Sequence, residues 1–142
     1  MAVTVKKAAL WRAEVADRPG VLAEVLEALA EAGANLRIVM GYGMGGSGRA
    51  VIEVFPVTGK KATAAASKAG MQASSIPCLL VEGDDRPGLG AKMARAIAAQ
   101  GINIAFLVAE TVGRKFSAVF GFEDNTAAAA ASKAIKAAAK SK

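Results

Sequence analysis

No histidine occurs anywhere in the 142 residues of the sequence. The chain therefore lacks the commonest general base of enzymes and the commonest metal ligand. A zinc site would need clustered cysteine or carboxylate side chains instead, and the sequence has no such cluster. The paired acids, Asp84-Asp85 and Glu123-Asp124, lie at predicted turns, where helix capping explains them. We therefore predict that the protein is not an enzyme and has no metal site, cofactor or catalytic residue.

Cysteine is almost absent as well. The single one, Cys78, lies in the apolar segment 76–81 and rules out a disulfide within the chain. Because no basic residue adjoins it, it is typical of a buried structural thiol. No apolar run reaches the roughly 18 residues of a membrane span, and residues 1–7 lack the apolar core of a signal peptide. The sequence thus predicts a cytoplasmic protein without a membrane partner.

Aromatic residues make up only 5% of the chain, and the formal net charge is +6. This charge permits an anionic partner without identifying one. Four of the last ten residues are lysines among alanines, which is typical of a solvated helix face. Phe116, Phe120 and Phe122 have the spacing of core residues, so no basic and aromatic surface for RNA is evident. We disfavour nucleic-acid binding and keep it as an alternative, together with a purely structural or oligomerisation module.

What the sequence does contain is a stretch that occurs twice. Asp-Arg-Pro-Gly at 17–20 returns 68 positions later at 85–88, and each copy is followed by an amphipathic run. Gly-x-Asn at 33–35 also returns at the same spacing, at 101–103. A repeat of this length indicates internal duplication. We therefore predict two modules, at 1–72 and 73–142.

The repeated stretch has the chemistry of a turn from a strand into a helix. Asp17 and Asp85 are typical of helix N-caps or turns, and the prolines fit the first helical turn. Gly20 and Gly88 let the backbone come close to a ligand above the turn. The free N–H groups of a helix start favour an anion such as a carboxylate.

The element pattern of each module is β-α-β-β-α. In the first copy it predicts strands at 8–15, 35–43 and 50–55, with residues 71–76 as a fourth strand. The second copy lacks a segment for its fourth strand, and the N-terminal extension is a candidate to fill that gap. Gly41–Gly48 is interpreted as a flexible hairpin loop, because a P-loop would end in Gly-Lys-Ser/Thr and open a helix. Both faces of strand 50–55 are apolar, so its second face is expected to be covered by the other module or another chain.

These residues resemble the ACT domain: Asp-Arg-Pro-Gly, an amphipathic helix, then Gly-x-Asn before the next strand. Two copies cover nearly the whole chain. The resemblance implies an α+β fold of two ferredoxin-like βαββα(β) modules, each with an antiparallel sheet and helices on one face. It also implies side-by-side pairing of modules and binding of an amino acid at their interfaces. The implied ligand-binding positions are Asp17, Arg18, Pro19, Gly20, Val21, Leu22 and Asn35 in the first copy, and Asp85, Arg86, Pro87, Gly88, Leu89 and Asn103 in the second.

We therefore predict a non-catalytic regulatory protein that binds an amino acid or a related small carboxylate and acts on an enzyme or regulator. Apolar residues on both faces of a strand predict a homodimer or larger assembly. The first copy is expected to be the better site, because it retains Leu22 where the second copy has Gly90. Gly90 itself predicts either an open pocket or a loosened helix start.

Overall fold

The computed structural model describes residues 3–141 and contains eight strands and four helices. In chain order they are β1 Val3–Ala8, β2 Trp11–Ala16, α1 Val21–Glu31, β3 Ile38–Gly43, β4 Arg49–Phe55, α2 Lys60–Lys68, β5 Gln72–Ala73, β6 Cys78–Asp84, α3 Leu89–Ala99, β7 Ile104–Val112, β8 Lys115–Phe122 and α4 Asn125–Lys140. The chain divides into two compact units. The first-copy unit is residues 9–75, and the second-copy unit combines residues 3–8 with 76–141.

The first-copy unit has the predicted ferredoxin-like architecture. Its sheet order is β3-β4-β2-β5, and every neighbouring pair is antiparallel. Apolar residues at alternate strand positions pack with the helices into one core, because alternate side chains share a face of a strand. This core comprises Ala13, Val25, Leu29, Ile52, Val54, Ala66 and Met71.

The second-copy unit has the same architecture, but its fourth strand comes from the N-terminus. Its sheet order is β1-β6-β8-β7, and β1 runs antiparallel to β6 from Val3 opposite Gly83 to Ala8 opposite Cys78. The predicted filling of the gap by the N-terminal extension is confirmed. Residues 3–8 accordingly belong with the second copy and not with the module predicted at 1–72, since pairing with β6 satisfies an edge that would otherwise be open.

Several predicted boundaries change in the structure. The strand expected at 8–15 corresponds to β2, which starts only at Trp11, while Ala8 is the last residue of β1 in the other sheet. The second strand of the first copy begins at Ile38 instead of 35. It continues to Gly43, so only the later part of the predicted glycine loop is a turn.

The two Asp-Arg-Pro-Gly turns differ from the prediction at their caps. The N-cap residues of α1 and α3 are Gly20 and Gly88, with φ of 90° and 81° and no side-chain cap bond. Asp17 and Asp85 thus do not cap these helices. Glycine is required because a left-handed φ is costly for any residue with a Cβ. A carboxylate caps α4 instead, where Asp124 accepts a bond of 2.7 Å from the Ala127 N–H.

The aromatic residues of β8 and both faces of β4 are buried. Phe116, Phe120 and Phe122 are all buried in the core of the second-copy unit, so their rings are not available to stack on bases. Val51 and Ile52, on opposite faces of β4, are both buried. Among residues 3–141, no helix has the length and hydropathy needed to cross a membrane.

Candidate functional site

A cleft of about 500 Å³ lies at the second Asp-Arg-Pro-Gly turn. We call it the second-copy cleft. One side is the turn and the first half of α3, and the other side is formed by β7 and β8. Its lining residues are Asp85, Arg86, Pro87, Gly88, Leu89, Gly90, Met93, Leu107, Ala109, Glu110, Thr111, Phe116, Ala118 and Phe120.

The interior of this cleft is apolar. Leu89, Met93 and Phe120 are each at most 3% exposed and belong to the core of the unit. Gly90 leaves the helix side of the cleft open, because a Cβ placed there would meet nothing within 4 Å. Of the two outcomes predicted for Gly90, the open pocket is the one observed.

The polar residues of the cleft include Asp85, Arg86, Glu110 and Thr111. The Asp85 N–H donates to the Arg114 carbonyl at 2.8 Å and so fastens the turn to the β7–β8 hairpin. The adjacent Asp84 pairs with Lys115, and the hydrogen bond from Lys115 holds the pKa of the Asp84 carboxyl below its ordinary value. Both charge signs are therefore available around an apolar interior.

Arg86 connects this cleft to the end of α4. Its guanidinium donates to the carbonyls of Ala139 (3.4 Å) and Ser141 (2.9 Å), and Lys92 Nζ also donates to Ser141 (3.0 Å). Cations are favourable here, since the last carbonyls of a helix lack intrahelical partners and carry partial negative charge. The Nε atom of Arg86 is buried and has no hydrogen-bond partner. It is an unused donor in a residue that lines the cleft.

The first copy has the same turn with different contacts. The Asp17 N–H donates to the Gly48 carbonyl at 3.0 Å, as Asp85 does to Arg114. Arg18 forms two hydrogen bonds with Glu24, at 3.1 and 2.7 Å. This pairing lowers the pKa of Glu24 and raises that of Arg18. Leu22, at the position of Gly90, is 42% exposed.

The structure brings together part of the predicted site. The second-copy cleft contains the predicted residues 85–89, whereas Asn103 is exposed and outside it. In the first copy, Arg18 and Val21 line a different cleft between α1 and α2, and Asn35 is exposed before β3 begins. The sequence reasoning missed the β7 residues Leu107, Ala109 and Thr111. Their alternate spacing was a usable signal, because such residues share one face of a strand.

One further polar feature lies outside both clefts. Glu53 on β4 is 1% exposed, and the Tyr42 hydroxyl donates to its Oε2 at 3.1 Å. Burial, together with this carboxylate, raises the pKa of Tyr42. Within residues 3–141, no group of three or more carboxylate or cysteine side chains is placed to hold a metal ion.

Part of the chain matches a known protein family. Residues 12–69, which make up most of the first-copy unit, match the family model of the ACT domain. This part of the first-copy unit is similar to the ACT domain. The second-copy unit repeats the architecture of the first-copy unit, with β1 in the place that β5 takes in the first. A search of curated protein sequences finds no significant match.

Solved structures resemble the chain over nearly its full length. The ligand-free regulatory subunit of aspartate kinase from Thermus thermophilus has 25% identity and a TM-score of 0.67, with 97% of each chain covered. The regulatory subunit of aspartate kinase from Thermus flavus has 23% identity and a TM-score of 0.61, over 99% of this chain and 98% of that one. Protein BT0572 from Bacteroides thetaiotaomicron has 17% identity and a TM-score of 0.71, over 94% and 98%. The last two likenesses concern the fold alone.

Proposed function

We propose that this protein belongs to the ACT-domain family and is a non-catalytic regulatory subunit that binds an amino acid or a related small carboxylate in the second-copy cleft. The observation that carries the proposal is the cleft itself, which lies at the repeated turn and combines an apolar interior with an unused Arg86 donor. Support also comes from the likeness to a regulatory subunit of aspartate kinase over the full chain. An enzyme of that kind is the first candidate for the regulated partner.

The cleft offers a separate group for each part of an amino acid. Arg86 Nε and the free N–H groups at the start of α3 suit the carboxylate. Asp85 suits the ammonium group, and the buried side chains of Leu89, Met93 and Phe120 suit an apolar portion of the ligand. This combination of groups favours a zwitterion over a plain anion.

The predicted residues of the first copy remain part of the proposal as a second, weaker site. They are Asp17, Arg18, Pro19, Gly20, Val21, Leu22 and Asn35. Together with Asn103, they would contact a ligand when a neighbouring module lies beside them. This proposal reverses the expectation that the first copy is the better site: we propose the second copy as the primary site, because Gly90 leaves open the space that a leucine side chain would take.

Replacing Gly90 with leucine tests this assignment. The change installs the residue of the first copy and should lower affinity for the effector at least tenfold, about 1.4 kcal/mol, because its side chain fills the cleft. It should also stabilise the fold slightly, since glycine within a helix costs about 1 kcal/mol relative to alanine. Calorimetry should follow a thermal-shift screen of the twenty amino acids on the wild-type protein.

The matched control is Ala91→Leu, which adds a similar side chain at the next, exposed position of α3. It should leave affinity unchanged. If no amino acid or small carboxylate binds the wild type, the proposed function is wrong. Equal affinity in wild type and Gly90→Leu would place the ligand elsewhere.

A further inference from the structure

A second cleft, of about 590 Å³, lies between α1 and α2 of the first-copy unit. We call it the α1–α2 cleft. Its apolar lining is made of small residues from both helices and the end of β2, and its charged residues are Arg18, Glu24, Glu31 and Lys68. The small residues are Val15, Ala16, Val21, Val25, Ala28, Ala65 and Ala69.

The internal repeat shows what occupies the corresponding volume in the other unit. Helices α2 and α4 follow equivalent strands, but α2 has nine residues and α4 has sixteen. The additional seven residues extend α4 by about 10 Å. Three residues in this extension, Ile135, Ala138 and Ala139, are buried in the second-copy unit.

The side chains beneath that extension have direct counterparts in the α1–α2 cleft. Ile135 belongs to the same buried cluster as Leu89 and Met93 of α3. The residues 68 positions earlier are Val21 and Val25, and both line the α1–α2 cleft. The cleft is therefore the volume that the last turns of a longer helix would fill.

The charged groups of the α1–α2 cleft can be compared with their counterparts in the second-copy unit in the same way. In the second-copy unit, Arg86 and Lys92 donate to the carbonyls at the end of α4. In the first copy the arginine is retained as Arg18, and Lys68 adds a second cation to the cleft. Glu24 replaces Lys92 and instead pairs with Arg18 at 2.7 Å. The terminal carbonyls of a docking helix would therefore compete with Glu24 for the hydrogen bonds of Arg18.

We propose that the α1–α2 cleft is a docking site for the C-terminal turns of a helix from a partner protein. One face of this helix would carry alanine-sized residues and an isoleucine or leucine, and its terminal carbonyls would accept hydrogen bonds from Arg18. Helix α4 of a second copy is not this partner, because its own apolar face is buried in its unit. The proposal is independent of the amino-acid site, since it rests on a different cleft.

The test uses the complete chain and a fluorescent peptide with the sequence of residues 125–142, which copies α4. The peptide carries four lysines and no acid, and the chain has a formal charge of +6, so non-specific attraction between them is disfavoured. Anisotropy should show saturable binding. Glu24→Lys, which recreates Lys92, should tighten binding about tenfold, whereas Arg18→Ala and Ala65→Phe should each weaken it at least tenfold.

Matched controls separate docking from other causes. Arg12→Ala removes an arginine outside the cleft and should have no effect. A peptide with Ile135→Lys should not bind. If Ala65→Phe does not fold, the peptide is titrated into the wild-type protein instead. Chemical-shift changes at the amides of residues 65–69 would then support docking in the cleft, and their absence would contradict it.

Two results would overturn the proposal. The first is the absence of peptide binding to both wild type and Glu24→Lys, or binding that none of the cleft variants changes. The second is an amino acid that binds wild type and Gly90→Leu equally but does not bind Ala65→Phe. That pattern would make the α1–α2 cleft a small-molecule site.

Discussion

The contact between Gly121 and Phe106 limits which side chain position 121 can hold. The two residues face each other across β7 and β8, next to an irregularity in their register. A Cβ built on Gly121 overlaps the Phe106 ring. We predict that Gly121→Ala costs about 1–3 kcal/mol of unfolding free energy, because the ring must leave its position in a packed sheet. Urea unfolding of both proteins measures this difference.

Two variants check that explanation. Adding Phe106→Ala to Gly121→Ala should remove most of the extra cost, as expected for residues in direct contact. Gly41→Ala on β3 is the matched glycine control, since a Cβ there meets nothing within 4 Å, and it should change stability little. A neutral Gly121→Ala would contradict the packing explanation.

Residue-level prediction from sequence succeeded where a local rule sufficed. The sequence places a glycine at each turn into a helix and predicts that it admits a ligand; the structure adds that Gly20 and Gly88 are N-caps with a positive φ. Of the two roles predicted for Asp17 and Asp85, helix cap or turn residue, the cap is not observed, because Gly20 and Gly88 are the N-cap residues. A composition rule could not distinguish these two ways of starting a helix.

At the scale of elements, β1 is a strand whose disruption should destabilise the second-copy unit and leave the first-copy unit unchanged. Val3 and Val5 pack against the core of the second-copy unit, while Thr4 is exposed. We predict that Val5→Asp destabilises the second-copy unit by at least about 1 kcal/mol, because it puts a charge against apolar side chains. Hydrogen exchange should accelerate in β6 and β8.

The exposed neighbour provides the control for that experiment. Thr4→Lys puts a charge on the other face of β1, opposite Glu82, and should leave exchange in β6 unchanged. Strands β2 and β4 should keep their protection in both variants, since they belong to the other unit. Equal loss of protection in both sheets would mean that β1 stabilises more than the second-copy unit.

The element order was predictable from the sequence, whereas part of its assembly was not. Helical and alternating periodicity, read twice at the same spacing, was enough for the ferredoxin-like architecture. The pairing of Val3–Ala8 with β6 joins residues 70 to 80 positions apart, and periodicity carries no information about it. What pointed to this pairing was the missing fourth strand of the second copy. The alternate spacing of Leu107, Ala109 and Thr111 shows that they share one face of β7, but only the assembled sheet shows that this face lies opposite α3.

For the whole molecule, the exposed edge strands bear on assembly. Strand β7 is an edge of its sheet, and its apolar residues Leu107, Val108 and Val112 are 47%, 50% and 70% exposed. In the other sheet the edge strand β3 exposes Val39 and Tyr42. Exposed apolar edges are available for pairing with another chain, since their N–H and C=O groups also lack strand partners on one side. We therefore keep the prediction of a homodimer and assign it to the β7 edge.

Val108→Lys tests this assignment, because a lysine on an edge strand opposes pairing with another strand. Light scattering should show wild-type dimers in the micromolar range and a shift of the variant toward monomers. Thr4→Lys adds the same charge to β1, the opposite edge of the same sheet, and should leave the dimer intact. A wild-type monomer throughout the micromolar range would refute the prediction.

The same variant bears on ligand binding, because β7 also forms one side of the second-copy cleft. Leu107, Ala109 and Thr111 face the cleft, so a neighbouring chain paired with β7 would lie beside the ligand. We expect Val108→Lys to weaken amino-acid binding as well as dimerisation, with the ligand shifting wild type further toward the dimer by mass action. Calorimetry at two protein concentrations measures this linkage. If Val108→Lys becomes monomeric and keeps full affinity, each chain has a complete site and the neighbour contributes nothing to it.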